Sequence, residues 1–361
     1  MKYDYLVVGA GLYGATFARQ ATDRGKNCLV IDKRPHIGGN TYTKKIEGID
    51  VHMYGPHIFH TNSPVIWDFV NQFAEFNDYR HKVLSCHSDR LYSFPLNLKT
   101  LEQLWGKLGE KELLAKFESG RSEHQIWENL EEWAIAEVGE EIYYKFIYGY
   151  TKKQWGTPPA NLDSSIISRI PVRTDRNDDY HQCKFSGIPT CGYTEMVANM
   201  LYQIPTALGE DYLLNREHWD KMAKRIVYTG PIDEFFNCEH GELPWRSLRF
   251  EQKRHDCSYV QPVAQINYAE ERIPYTRSVE HKHFNDTGTP RTILTIEYPE
   301  KYKKGKEKYY PIKNSLTDAL YNKYKKMIPD SHIFGGRLAE YRYYDMDQVI
   351  GAAIAKFRRI L

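Results

Sequence analysis

No run of apolar residues in this chain approaches the roughly 20 needed to cross a bilayer, so no membrane-spanning helix is expected. Cysteine is sparse. The six cysteines of 361 residues are scattered at Cys28, Cys86, Cys183, Cys191, Cys238 and Cys257, with no C-x-x-C pair. That excludes a zinc ribbon or a thioredoxin-type loop and suits reduced thiols in a cytoplasmic protein. His57 and His60 lack the H-x-x-x-H spacing and carboxylate trio of a metal site, so no metal is expected. Charge of one sign is also missing. The formal balance is +2, which gives no general attraction to nucleic acid or an anionic membrane. An anionic ligand must then be met by arginines placed locally. The amino terminus shows no signal-peptide layout, because its apolar segment runs straight into a glycine turn.

What is present has a clear order. At 361 residues the chain exceeds what one core comfortably serves, so two or three domains, or one with large insertions, are expected. Tyr3 to Val8 reads as a buried parallel strand that stops at Gly9. Gly14 to Arg24 carries apolar residues at helical spacing, and Cys28 to Ile31 is a second buried strand closed by Asp32. From Thr100 to about Tyr150 the pattern turns helical, with a stripe of Ile126, Leu130, Trp133, Ala134, Val138, Ile142, Phe146 and Ile147. RIVYTG (225–230) reads as another parallel strand, and segments 257–268, 274–284 and 291–298 alternate like antiparallel strands. The basic KYKKGKEK (301–308) reads as a solvated turn. After a strand-like HIF and a glycine pair, Met346 to Phe357 makes a closing helix.

Gly9, Gly11 and Gly14 form G-x-G-x-x-G between strand and helix, with Asp32 after the second strand. The glycines permit a tight turn, close approach of a pyrophosphate to the helix amino terminus, and close helix–strand packing. The acid suits a ribose hydroxyl. Gly38, Gly39 and Asn40 then let a second backbone segment approach the same diphosphate. No second G-x-G-x-x-G exists for a nicotinamide cofactor, which favours FAD held by a glutathione-reductase-type fold. GGRLAEYRYYDM (335–346), leading into a helix, suits the flavin end of so long a ligand.

Several stretches are too idiosyncratic to follow from such a fold alone: GPHIFHTN (55–62), FPLNL (94–98), GYTKKQWG (149–156), RIPVR (169–173), YTGPIDEFF (228–236), PYTR (274–277), EHKHF (280–284), EYP (297–299), YYP (309–311) and GGRLAEYRYYDM. With VVGAGLYG and IDKRPHIGGN, they make the chain resemble the bacterial UDP-galactopyranose mutases over nearly its whole length. The resemblance implies an isomerase that interconverts UDP-galactopyranose and UDP-galactofuranose with reduced FAD and no net redox. Flavin nitrogen-5 attacks the anomeric carbon, UDP leaves, and the sugar opens through an iminium ion and recloses. It also implies a homodimer, an external reductant such as NAD(P)H or a flavin reductase, and service to cell-surface polysaccharide synthesis.

The same resemblance assigns residues. Arg169 and Arg277 match the arginines that hold the diphosphate. Tyr180, Tyr309 and Tyr343 match hydroxyls that reach the phosphates. Phe146, Tyr150 and Thr151 match the uridine pocket, and Trp155 borders the galactose. His57 and His60 match a loop against the flavin ring, where positioning and electronic tuning are favoured over proton transfer. Further FAD contacts are implied at Leu12, Lys33, Thr229, Gly230, Gly336, Arg337, Asp345 and Met346. TPPANLDSSIISR is implied to be a lid that brings Arg169 inward. Arg173 and Arg246 are given structural or secondary roles.

The expected fold is α/β, a Rossmann-like FAD domain (1–80, 215–240 and 325–361) with a helical insertion (97–160). An antiparallel substrate region is expected from 80–96, 161–214 and 241–324. Phe185, Ser186, Cys191, Met53 and His181 depart from the family pattern and leave tolerance for N-acetyl or deoxy sugars open. An FAD-dependent amine or sugar oxidoreductase, or a redox-sensing module, would share the amino-terminal motifs. Neither would need the arginine–tyrosine set.

Overall fold

The computed structural model describes residues 2–122, 126–163 and 172–360, and these fall into two compact units. The first comprises Met1–Tyr79, Cys183–Pro244 and Ser315–Leu361. Its centre is a five-stranded parallel sheet in the order His332–Phe334, Ala223–Tyr228, Tyr3–Val8, Cys28–Asp32, Thr206–Leu208. The two central strands bury their apolar runs on both faces, as a parallel sheet covered by helices requires. Tyr5 pairs with Cys28 and with Arg225, so the first strand lies between the strand that follows it in the chain and one more than 200 residues away. The first helix, Leu12–Thr22, packs against the last, Met346–Ile360, where Phe17 and Phe357 meet edge to face at 5.3 Å. The strand expected at 225–230 and the closing helix are both present.

The division differs from the expected one. Residues 183–214 and 315–324 lie with this first unit and not with the substrate sheet, and the helical segment 97–160 belongs to the second unit. The reason is pairing. Thr206 to Leu208 add a parallel strand beside Val30 to Asp32, and the helix Tyr193–Met200 packs on the first helix. A three-residue strand carries too little periodicity to be seen in sequence.

The second unit comprises Arg80–Gln182 and Trp245–Asn314. Its seven-stranded sheet runs Tyr310–Pro311, Trp245–His255, Thr292–Lys301, Arg277–Glu280, Gln265–Tyr268, Val83–His87, Arg90–Phe94. All pairs are antiparallel except Gln265–Tyr268 with Val83–His87. The 11-residue strand Trp245–His255 was not foreseen. Its second half is polar on both faces, so it shows none of the alternation that marks a half-buried strand. The expected strand at 257–268 is confined to Gln265–Tyr268, and the one at 274–284 to Arg277–Glu280.

The helical region holds Leu98–Trp105, Glu110–Gly120 and Leu130–Val138, the first and third capped by Asn97 and Asn129. The single stripe expected to run from Ile126 is corrected in two ways. Ile126 is 87% exposed and precedes the helix. The stripe also breaks at Gly139, whose φ of +78° ends one helix and whose missing side chain lets the Gly120 carbonyl approach. Beyond it, Ile142 and Phe146 rejoin the core of Leu101, Leu113, Phe117, Leu130, Ala134 and Val138. In KYKKGKEK, Lys303, Lys304 and Lys306 are exposed as expected. Lys308 is buried instead, its ammonium 5.1 Å from the ring centre of Tyr302.

Candidate functional site

In the first unit the glycine motif makes the contacts its spacing requires. Gly9 has φ +111°, and a Cβ there would lie 1.9 Å from the Thr229 hydroxyl, which itself donates to the Val8 carbonyl at 2.7 Å. A Cβ on Gly14 would lie 1.9 Å from the Gly9 carbonyl, so only glycine lets the helix sit this close to the strand. Gly11 and Gly39 face each other backbone to backbone. A Cβ on Gly39 would be 3.0 Å from the Cα of Gly11. The two glycine segments therefore present backbone together, beside a helix start that has no side-chain cap and no acid in its first turn.

Asp32 accepts from the Ala10 amide at 2.8 Å and the Arg34 amide at 2.9 Å, so its carboxylate clasps the two loops and keeps further lone pairs for a hydroxyl. Arg34 donates to Asn40 Oδ1 at 3.0 Å. Lys33 is exposed, away from this clasp. Leu12 is buried at the helix start.

The carboxyl-terminal motif reaches the same place through Tyr13. A Cβ on Gly335 would lie 2.0 Å from the Tyr13 ring, and Gly336, at φ +88°, also passes beside Tyr13 and Thr229. Arg337 donates to the Tyr344 carbonyl at 2.7 Å and lies 4.7 Å from the Tyr343 ring centre. Asp345 precedes the helix that opens at Met346. Gly230 follows the strand Ala223–Tyr228, beside the Tyr228 ring. His57 is held by its own loop, Nδ1 at 2.8 Å from the Gly55 carbonyl. His60 lies on the short strand Phe59–Thr61, half-buried while its two neighbours are buried.

The second unit gathers most of the expected substrate residues. The helix Gly149–Trp155 carries Tyr150, Thr151 and Trp155 within the GYTKKQWG stretch. Three features explain why that stretch is so particular. A Cβ on Gly149 would lie 2.2 Å from the Ala269 carbonyl. Gly156 takes φ +70°, and a Cβ there would meet the Arg246 guanidinium at 2.5 Å. Arg246, buried, donates to the Gln154 carbonyl at 2.9 Å and the Lys153 carbonyl at 3.1 Å, capping the helix end as a cation should. Arg246 is thereby structural, in keeping with the role expected of it.

Arg277 opens the strand Arg277–Glu280. Its guanidinium donates to the Tyr310 hydroxyl at 3.1 Å and faces the buried Glu297 carboxylate at 2.8 Å. Burial opposes the charge on Arg277, but Glu297, Tyr150 and Tyr310 outweigh it and hold the pKa above the usual arginine value. The Trp155 ring centre lies 6.1 Å from that of Tyr310. Arg277, Tyr150, Trp155, Tyr310 and Glu297 thus form one cluster. Among the described residues, Nε of Arg277 and Oε2 of Glu297 have no hydrogen-bond partner, so the cluster retains unspent donor and acceptor capacity.

Other expected residues are placed differently. Tyr309 is 4% exposed and packs edge-on against Phe250 at 5.8 Å. Tyr309 precedes the two-residue strand Tyr310–Pro311, and it is Tyr310 whose hydroxyl meets Arg277. The second letter of YYP was the available signal for Tyr310. Glu297, in EYP, was also not singled out. Phe146 is buried against Tyr92, at 5.1 Å edge to face, as its helical periodicity alone would place it. Tyr180 sits among His81, His181 and Phe94. Arg169 and residues 164–168 of the expected lid lie outside the described residues. EHKHF works as a fastening: Glu280 accepts from the Val260 and Gln261 amides, both at 2.9 Å, and from the Thr292 hydroxyl at 2.6 Å. Among the described residues no cluster of potential metal ligands occurs, and no helix is long and apolar enough to cross a membrane.

Residues 145–343 match the sequence model of the UDP-galactopyranose mutases, and residues 7–73 match an NAD(P)-binding Rossmann-like domain. A Klebsiella pneumoniae protein described as a probable UDP-galactopyranose mutase is 36% identical, over 97% of this chain and 92% of its own. The dTDP-fucopyranose mutase of Escherichia coli is also 36% identical, over 97% of this chain and 96% of its own. Among solved structures, a reduced UDP-galactopyranose mutase superposes with a TM-score of 0.79 at 14% identity. It covers all of this chain and 94% of its own, and the likeness concerns the fold. With a family match over more than half its length and full-length relatives above 30% identity, the chain belongs to the UDP-galactopyranose mutase family of isomerases.

Proposed function

We propose that this protein interconverts UDP-galactopyranose and UDP-galactofuranose, using bound FAD in its reduced form. The observation that carries the reading is the Arg277 cluster: a guanidinium braced by a buried carboxylate and bonded to a phenol, beside a tryptophan, on the second unit. A departing diphosphate places negative charge where a fixed guanidinium and a phenolic donor stabilise it most. The first unit fits a dinucleotide, since its facing Gly11 and Gly39 backbones leave room that any side chain would fill. Gly9, Gly11, Gly14, Asp32, Gly38, Gly39 and Asn40 would hold the diphosphate and ribose. Gly336, Arg337, Tyr343, Asp345 and Met346, with His57 and His60, would serve the flavin end. When bound and reduced, the flavin supplies an electron-rich nitrogen as nucleophile toward the anomeric carbon.

The remaining work falls to this chain's side chains. Arg277 and Tyr310 would hold the phosphates through bond breaking, with Arg169 as second cation. Glu297 keeps Arg277 in place. Trp155 would border the sugar, and Tyr150 and Thr151 the base. Tyr180 and Tyr343 are the further phenols proposed for the phosphates. A cytoplasmic homodimer recharged by an external reductant and serving galactofuranose-containing surface glycans completes the proposal.

Dithionite-reduced protein is expected to convert UDP-galactofuranose to UDP-galactopyranose, followed by chromatography, while the oxidised protein does not. Equal rates in both redox states would sink the flavin role. The equal identity to a dTDP-fucopyranose mutase makes a 6-deoxy substrate on a thymidine carrier the specific second reading. Running dTDP-fucopyranose in parallel, and comparing kcat/KM, decides between the two.

A further inference from the structure

Lys153 has a setting that neither the nucleotide nor the sugar explains. Its ammonium lies 2.7 Å from the Tyr268 carbonyl, 2.8 Å from that of Glu270, and 2.9 Å from those of both Ile273 and Tyr275. An ammonium has three N–H groups, so four acceptors at one such distance surround it as they would a monovalent metal ion. Tyr268 ends the strand Gln265–Tyr268, the other three lie in the turn that follows it, and Arg277 is the first residue after that turn. Lys153 itself stands on the helix that carries Tyr150, Thr151 and Trp155. The same turn approaches that helix at Gly149, where any side chain would strike the Ala269 carbonyl. Two residues further along the turn, Glu271 pairs with Lys152 at 2.7 Å.

We propose that Lys153 is a positioning residue whose ammonium acts as a resident cation, locking the 268–275 turn to the 149–155 helix. Arg277 and the Tyr150–Thr151–Trp155 segment are thereby presented to the nucleoside diphosphate as one rigid surface. Without the cation, four carbonyl dipoles converge on nothing and repel one another, and the turn relaxes. Arg277 then loses its register against the helix. Burial pulls the Lys153 pKa down to about 8, partly offset by Glu270 and Glu271, which marks the carbonyls as the groups that must compensate for lost water. The lysine does not touch the reacting atoms, so its loss is expected to weaken nucleotide binding more than turnover. The inference rests on reading the helix and Arg277 as the nucleotide-sugar binders.

The test is Lys153→Ala in the flavin-loaded protein, which removes the equivalent of propylammonium and leaves the carbonyls in place. Its KM for the nucleotide sugar, and the Kd for UDP read by tryptophan fluorescence, are expected to rise roughly tenfold or more, with kcat within about threefold and the flavin spectrum unchanged. Propylammonium or ammonium chloride should lower both constants toward wild type, while tetramethylammonium, which has no N–H, should not. A wild-type KM in Lys153→Ala overturns the proposal. So does a raised KM that no amine corrects in a variant with native circular dichroism. If the alanine variant fails to fold, Lys153→Met retains the aliphatic stem: a raised Kd for UDP supports the proposal and a wild-type Kd overturns it. Should the wild-type protein isomerise no nucleotide sugar, the functional reading fails on its own. The cage is then judged by thermal unfolding of Lys153→Ala, where no stabilisation by propylammonium overturns it.

Discussion

Arg277 shows how a single side chain acquires a role from its neighbours. Alone it would be an arginine at the start of a strand. Glu297, buried behind it, holds its charge, and Tyr310 shares one of its donors. Tyr309 and Tyr310 are chemically equal and adjacent, yet one is buried against Phe250 and the other bonds to Arg277. The consequence is testable by a pair of hydroxyl deletions. Tyr310→Phe is expected to lower kcat/KM roughly tenfold to a hundredfold, the value of a hydrogen bond to charge. Tyr309→Phe should stay within about threefold of wild type. Steady-state kinetics on both variants decides, and a reversed ranking would return the phosphate role to Tyr309.

At the scale of elements, much of the idiosyncratic sequence turns out to be fastening. GYTKKQWG needs Gly149 for close approach, Lys153 for the turn, and Gly156 for Arg246. EHKHF ties the strand Arg277–Glu280 to the loop before Gln265 through Glu280. Burial pushes the Glu280 carboxyl up, but His283, Thr292 and the amides of Val260 and Gln261 together hold its pKa below the ordinary value. A carboxylate whose folded pKa is depressed stabilises fully above the unfolded value and loses that contribution as pH falls through the folded one. Glu280→Gln should therefore cost about 2 kcal/mol near neutral pH, and the gap to wild type should narrow as pH drops below about 4. Urea denaturation from neutral to acid pH checks this, and a gap that stays constant throughout refutes it. The closing helix Met346–Ile360 was readable from local periodicity. The strand Trp245–His255 was not, because its partners, not its own pattern, make it a strand.

For the whole molecule, the first unit is assembled from three separated segments whose parallel sheet brings Gly9, Thr229 and Gly336 side by side. A ligand that binds only this assembled form must stabilise it by mass action. Adding FAD at a hundredfold excess over its Kd to the stripped protein is expected to contribute about 2.7 kcal/mol, seen as a rise in Tm. No rise would show that the glycine cradle does not take this cofactor. The amino-acid sequence alone determined the βαβ start, the glycine cradle, the closing helix and the family, because these depend on local periodicity and on residue types at short fixed spacings. It could not determine that Tyr310 and not Tyr309 meets Arg277, that Glu297 stands behind it, that Gly139 breaks the helical stripe, or that residues 183–214 join the nucleotide unit. Those were decided by tertiary structure, since strand pairing and ion-pair burial join residues far apart in the chain, and no short window of sequence contains both partners.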